Sequence, residues 1–195
     1  MHAHWLDGTP ITDVLAMAGI LDRYRRFAVD GRLIVTGFVA VGDSWACTNP
    51  SAGRGLSVGL IHAQLLRKVV RGYLDDPAAL ARVWDERTEQ YVAPYYWNQI
   101  AADRARLAQM NAQMNALRNG LEPPTPDSLM ARFATAAGYD ADVFRGLIET
   151  VLCLTLPQEV LERPGIKDKI GELGEGTRMR IPGPDRDQLL RLLSA

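Results

Sequence analysis

Residues 33–57 read Leu33-Ile34-Val35-Thr36-Gly37-Phe38-Val39-Ala40-Val41-Gly42-Asp43-Ser44-Trp45-Ala46-Cys47-Thr48-Asn49-Pro50-Ser51-Ala52-Gly53-Arg54-Gly55-Leu56-Ser57. The stretch changes character twice. From Leu33 to Val41 it is almost continuously apolar and rich in β-branched residues, broken only at Thr36 and Gly37, a pattern that predicts a strand buried on both faces. From Gly42 to Arg54 it is a loop of small and polar residues. From Gly55 onward Leu56, Leu60, Ala63, Leu66, Val70 and Tyr73 recur at spacings of three and four, which predicts a helix with an apolar stripe. Strand, loop and helix therefore meet within sixteen residues, 42–57.

Upstream, Tyr24, Phe27 and Val29 favour extended structure, and Asp30-Gly31 predicts a two-residue hairpin turn. Asp7-Gly8-Thr9-Pro10 is a turn signal. Downstream everything reads as helix. Asp76-Pro77 supplies a cap and a first-turn proline for a pattern reaching about Arg118, with a kink expected at Pro94. Gly120 and Pro123, Pro124 and Pro126 end it. Thr125-Pro126 is expected to open a helix that stops at Gly138, Asp140 to cap one over about 141–154, and Pro157 to begin a short one ended by Pro164-Gly165. Residues 171–184 read as a glycine- and proline-rich loop, and Asp185 to Leu193 as a last amphipathic helix. The expected fold class is mostly α with a short β element, an α+β chain. Residues 1–75 carry the strand, loop and helix, and residues 76–195 form a helical region.

Composition narrows the function. The 195 residues carry 22 basic and 23 acidic side chains, a net charge of −1, so no basic face is expected for nucleic acid. Arg23, Arg25 and Arg26 are expected on a solvated face. No apolar run reaches the roughly 18 residues of a membrane span. The amino terminus lacks the layout of a signal peptide, and Cys47 and Cys153 lie in no metal or redox spacing, so reduced thiols and a cytoplasmic location are expected. Cys47 reads as a small loop residue and His62 as a helix-face histidine with a structural hydrogen bond. Tyr91, Tyr95, Tyr96 and Trp97 read as an aromatic packing cluster, and Met110 and Met114 as packing filler. The apolar strand 33–41 lacks partners for both edges, so self-association through it is expected.

The chemistry lies in residues 42–57. An acidic side chain at the carboxyl end of a strand projects into the crevice where α/β proteins bind ligands and can accept hydrogen bonds from sugar or ribityl hydroxyls. Glycines 53 and 55 allow close backbone approach, and the first helical turn offers free amides at Gly55, Leu56 and Ser57, which favour negative charge. The plainer alternative is a strand–loop–helix connection whose glycines serve packing alone.

The string Gly42-Asp43 followed by Pro50-Ser51-Ala52-Gly53-Arg54-Gly55 resembles the second FAD-binding motif of the flavoprotein hydroxylase and geranylgeranyl-reductase-like superfamily, GD-x(6)-P-x-x-G-x-G. The resemblance implies that Asp43 contacts the ribityl chain of FAD. It also implies that Pro50 to Gly53 pack by the isoalloxazine and that the amides of Gly55, Leu56 and Ser57 bind its pyrimidine side. Ser57 stands where many hydroxylases carry Asn, and Trp45-Ala46 where they carry a histidine. The family holds the ADP half of FAD on an amino-terminal G-x-G-x-x-G fingerprint that this sequence lacks. The resemblance therefore implies the carboxy-terminal part of an FAD-dependent oxidoreductase without its dinucleotide-binding half. It would act by hydroxylation or double-bond reduction on a small-molecule substrate. The competing expectation is a non-catalytic helical interaction module, or a relic without cofactor.

Overall fold

The computed structural model describes residues 9, 11–16, 19, 21–124, 128–175 and 186–193. Among them the chain is mostly helical with two small antiparallel ladders, the α+β class expected. The turn signal at 7–10, the Thr125-Pro126 helix start and much of the 171–184 loop lie outside the described residues.

The strands are β1 (Arg23–Tyr24), β2 (Ala28–Val29), β3 (Arg32–Leu33) and β4 (Ala46–Cys47). The β2–β3 hairpin pairs Val29 with Arg32, so Asp30-Gly31 is its two-residue turn, with φ of 50° and 73°. That is the conformation a type I′ hairpin requires. The long buried strand expected over 33–41 does not form. After Leu33 the backbone is irregular, Gly37 turns at φ 69°, and Ile34, Val35 and Phe38 are exposed while Ala40 is buried. An apolar run becomes a central strand only where neighbours accept its backbone hydrogen bonds, and none flank it here.

The helices are α1 (Gly55–Tyr73), α2 (Pro77–Tyr91), α3 (Ala93–Arg118), α4 (Leu129–Ala136), α5 (Ala141–Val151), α6 (Pro157–Leu161), α7 (Ile166–Gly174) and α8 (Arg186–Leu193). Their ends follow local chemistry. The Asp76 carboxylate accepts from the amides of Ala78 and Ala79, and that of Asp140 from Asp142 and Val143. Ser128 caps α4 and Pro157 opens α6. The kink expected at Pro94 is instead a break at Val92, with Pro94 in the first turn of α3, where its missing N–H costs nothing. Helix α7 extends to Gly174, so residues 171–174 are helical rather than loop.

Two cores result. Ala40, Trp45 and Ala46 pack with Val92, Ala93, Tyr96 and Ile100, joining the loop segment to α3 across residue 75. Phe133, Ala136, Val143, Val160, Ile166 and Ile170 form the second, among α4 to α7. Gln158 donates to Asn98 at 3.1 Å between the two groups of helices. The expected aromatic cluster forms in part: Tyr96 and Trp97 meet at 4.9 Å and both pack on Tyr24, whereas Tyr91 is half-exposed beside Arg87.

Gly146 on α5 sits where an added methyl would overlap Val160 Cγ1, whereas Gly171 on α7 faces open space. Gly146→Ala is expected to destabilise the chain by about 1–3 kcal/mol through overpacking, despite alanine's better helix propensity. Gly171→Ala should stabilise it by about 0.5–1 kcal/mol. Urea unfolding of both variants measures the contrast.

Candidate functional site

Helix α1 begins at Gly55, as its sequence pattern predicts, but buries a different face. Val58, Ile61, His62, Leu65 and Val69 turn inward, while Leu56 is 77% exposed and Leu60 58% exposed. The stripe of Leu56, Leu60, Ala63 and Tyr73 therefore faces outward, a correction whose cause is His62.

His62 is fully buried. Its ring stacks on Trp84 at 4.3 Å and meets the edge of Trp45 at 4.9 Å. The Gly42 amide donates to Nδ1 at 3.3 Å, which leaves the proton on Nε2 to be donated to Thr88 Oγ1 at 3.0 Å. Burial pulls its pKa down from 6.5 to about 4, so the ring is neutral near pH 7. The hydrogen bond expected of His62 is thus present, and its partner is the first residue of the motif itself.

That bond fixes a tight turn. Gly42 has φ 57°, and its Cα lies 3.9 Å from where a Cβ on Gly59 would be. A side chain at Gly42 would be strained by the positive φ. Gly42–Ser44 then form a single 3-10 turn. The Ser44 hydroxyl accepts from the Val41 amide at 2.8 Å and donates to the Val41 carbonyl at 2.7 Å. Arg25 Nη1 donates to the carbonyls of Asp43 and Ser44, both at 3.2 Å, and Arg26 pairs with Asp85 and Glu89. Two of the three arginines expected on a solvated face are therefore structural ties.

The turn delivers Asp43 to the start of α1, where its Oδ1 lies 3.7 Å from the Cβ position of Gly55. No side chain caps this helix, and the first α1-type bond runs from Val58 to the Arg54 carbonyl at 3.0 Å. The amides of Gly55, Leu56 and Ser57 precede that bond and point out of the helix end. Gly42, Asp43, Arg54, Gly55, Tyr95 and Gln99 line a narrow cleft over this end. Tyr95 carries a phenol raised above its usual pKa by burial and by the neighbouring Glu159 and Cys153, so its hydroxyl keeps its proton.

The remaining motif residues lie elsewhere. Pro50–Ala52 make a second 3-10 turn, and the Asn49 side chain accepts from the Ser51 amide at 3.0 Å. Gly53 ends it in the left-handed conformation and is exposed. Pro50 lines a wider recess with Asn49, Ser51, Asp103 and Arg106. The structure thus gathers Gly42, Asp43 and Gly55, with Leu56 and Ser57 in the same helical turn, and sets Pro50 and Gly53 to one side.

Asp103, which the motif does not include, holds that side in place. Its carboxylate accepts from Asn49 at 3.3 Å, from Arg106 at 2.9 Å and from Gln99 at 3.0 Å, and Arg106 reaches Ser51 Oγ at 3.3 Å. Its signal in the sequence was a carboxylate in line with Tyr96, Ile100 and Leu107, where an apolar residue belongs. Cys47 is half-exposed, its Sγ 3.5 Å from the Leu21 carbonyl, and Cys153 is buried with its thiol pKa raised by that burial. Among the described residues no group of His, Cys, Asp or Glu could hold a metal ion, and no helix is long and apolar enough to cross a membrane. Comparison with known protein families, curated proteins and solved structures yields no match.

Folded His62 resists a proton that the unfolded chain accepts, so the unfolded state binds more protons between about pH 6.5 and 4. Stability is expected to be full above pH 6.5 and to fall by about 2–3 kcal/mol on acidification to pH 4.5. The hydrogen bonds that lower Asp140, Asp142 and Glu159 contribute stability that is lost only as pH falls through the ordinary carboxylate range, at the acid end of the window, and they are common to both proteins compared below. Denaturation at several pH values on the wild type and His62→Gln measures this, and the variant should show a flatter dependence across the window.

Proposed function

We propose that the chain contributes the flavin-contacting side of the site of an FAD-dependent oxidoreductase. The observation that carries the reading is the carboxylate of Asp43 beside Gly55 at an uncapped helix start. In this reading Asp43 accepts a hydrogen bond from a ribityl hydroxyl. The amides of Gly55, Leu56 and Ser57 donate to the pyrimidine side of the ring, where the positive end of the α1 dipole favours negative charge. Asp43 and these three amides supply the acceptor and donors that this half of the cofactor would use, whereas Pro50 and Gly53 do not border the same cleft. The sequence supplies no G-x-G-x-x-G fingerprint for the ADP half.

When bound, FAD would supply two-electron redox chemistry, and preorganised donors near the ring would favour the anionic reduced form. Tyr95 and Gln99 border the same cleft and would orient a small-molecule substrate or the ring edge. The reaction class, hydroxylation or double-bond reduction, rests on the motif resemblance alone. A non-catalytic helical interaction module is the second reading, and the exposed Leu107, Met110, Met114 and Leu117 of α3 favour it.

Flavin fluorescence titration tests the proposal. FAD and FMN are expected to bind with affinities within a few-fold of each other, because the residues present address the flavin and ribityl chain they share. Asp43→Ala should weaken both by about 1.5–3 kcal/mol, the worth of a hydrogen bond to a charged group. Adding a dinucleotide-binding half from a flavoprotein of the same superfamily should strengthen FAD alone. No flavin binding with either form, or affinity indifferent to Asp43, would remove the flavin reading.

A further inference from the structure

The ring of Tyr24 lies where three other aromatic rings converge. Its centroid is 5.0 Å from that of Tyr96, 4.9 Å from Trp97 and 5.4 Å from Trp45, and Tyr96 and Trp97 meet each other at 4.9 Å. Rings at such separations touch, so the four make one continuous aromatic contact. Its two ends differ. Trp97 is 49% exposed, whereas Trp45 is buried and lines the cleft over Asp43.

Core packing accounts for the rings but not for the hydroxyl. Tyr24 donates its phenolic hydrogen to Glu89 Oε1 on α2. Arg26 holds the carboxylates of Glu89 and Asp85 from the other side. Burial first, and Glu89 second, keep the phenol protonated well above the ordinary tyrosine range. A phenol held in this way gives up an electron readily only if its proton leaves with it, and Glu89 stands in the path of that proton. The Glu89 side chain is 30% exposed, so the proton can pass on to water. Tyr96 touches the same indole, but among the described residues its hydroxyl is hydrogen-bonded to no carboxylate.

We infer that Tyr24 and Glu89 form a proton-coupled redox site, where an oxidising equivalent that enters at Trp97 from a one-electron oxidant comes to rest. The oxidant removes one electron from the Trp97 indole, whose N–H proton goes to solvent. The resulting indole radical takes one electron from Tyr24, and the Tyr24 hydroxyl proton moves to Glu89 Oε1. Trp97 regains a proton from water at its ring nitrogen. The balance is one electron transferred, the indole restored, a neutral phenoxyl radical on Tyr24 and one proton on Glu89. The direction follows because a phenol that loses its proton to a base along with the electron is oxidised more easily than an indole. An oxidant formed in the cleft reaches the same site through Trp45. The inference does not depend on flavin binding.

Pulse radiolysis of the full chain with the azide radical, which oxidises accessible indoles, tests the site. Trp5→Phe is the background throughout, because Trp5 lies outside the described residues and Trp45 and Trp84 are buried. The indole-radical absorption is expected to decay as the phenoxyl absorption rises, at a rate independent of protein concentration. Tyr24→Phe keeps the ring and removes the hydroxyl. Glu89→Gln keeps an acceptor oxygen and removes the base. Each should slow the conversion about tenfold or more, the scale on which a positioned proton acceptor acts. Trp97→Phe should abolish the fast phase. The Arg26 pair lost in Glu89→Gln is half-exposed and costs little stability, and near-ultraviolet circular dichroism checks that the rings stay packed. An unchanged rate in Tyr24→Phe would move the sink to another tyrosine and overturn the assignment. An unchanged rate in Glu89→Gln would remove the carboxylate from the step, and a fast phase that survives Trp97→Phe would remove the entrance. A rate that rises with protein concentration would overturn the path within one chain.

Discussion

One buried imidazole organises the amino-terminal half of the molecule. His62 takes the Gly42 amide on one nitrogen and gives a proton to Thr88 with the other, while Trp84 and Trp45 cover its ring. Three segments far apart in sequence meet in that contact: the Gly-Asp turn, α1 and α2. Were the ring charged, Nδ1 would carry a proton and could no longer accept from Gly42, and an ion would be left in an apolar cage. The neutral state is therefore a condition for the fold. It also decides which face of α1 is buried, and so where Asp43 and the free amides of Gly55, Leu56 and Ser57 come to lie.

Around this anchor the motif loop is held at both ends by different chemistry. Its start is fixed by the Arg25 guanidinium, which donates to the Asp43 and Ser44 carbonyls, and by the Ser44 hydroxyl, and its Pro50 end by the Asp103 carboxylate shared among Asn49, Gln99 and Arg106. Asp103 is mostly buried, and a buried carboxylate is tolerable only where donors satisfy it. Three donors converge on it here. The aromatic rings of Tyr24, Trp45 and Tyr96 then fill the space between β1, β4 and α3, with Tyr24 stacked on Tyr96 at 5.0 Å. The loop is consequently a supported element, even though it contains little regular structure.

The legible parts of the fold were those set by neighbours in sequence. Asp76, Asp140 and Pro157 mark helix starts because a cap needs only the next two or three amides, and Asp30-Gly31 marks a hairpin because a two-residue turn needs only its own φ values. What stayed hidden depended on distant partners. The apolar run 33–41 looks the same whether strands flank it or not. Helix α1 carries two apolar stripes, Leu56-Leu60-Ala63 and Val58-Ile61-Leu65, and partners distant in sequence select between them: Thr88 and Trp84 on α2 through His62, and the core around Trp45 and Tyr96. At the site, Gly42, Asp43 and Gly55 were readable from their motif spacing. Asp103 showed only as a carboxylate out of place in an apolar line and Gln99 not at all, because their partner Asn49 belongs to a loop some fifty residues away.

The seam of α3 that runs from Ala93 through Tyr96, Ile100 and Asp103 to Leu107, Met110, Met114 and Leu117 is buried at one end and exposed at the other for a plain geometric reason. Its members repeat every 3.5 positions, whereas a straight helix turns once every 3.6, so the seam drifts by about 20° per heptad relative to any fixed neighbour. Over the two heptads from Tyr96 to Met110 the drift reaches about 40°, too little to leave the buried side. Leu107, Met110, Met114 and Leu117 therefore stay on the side of α3 that Tyr96 and Ile100 occupy, and the half-buried Gln109, Gln113 and Ala116 lie on another. The four are exposed because, among the described residues, the core of the chain covers this side only as far as Asp103. Met110 and Met114 consequently fill no gap in that core, and the periodicity that predicts packing along the whole helix reports a face whose covering ends partway.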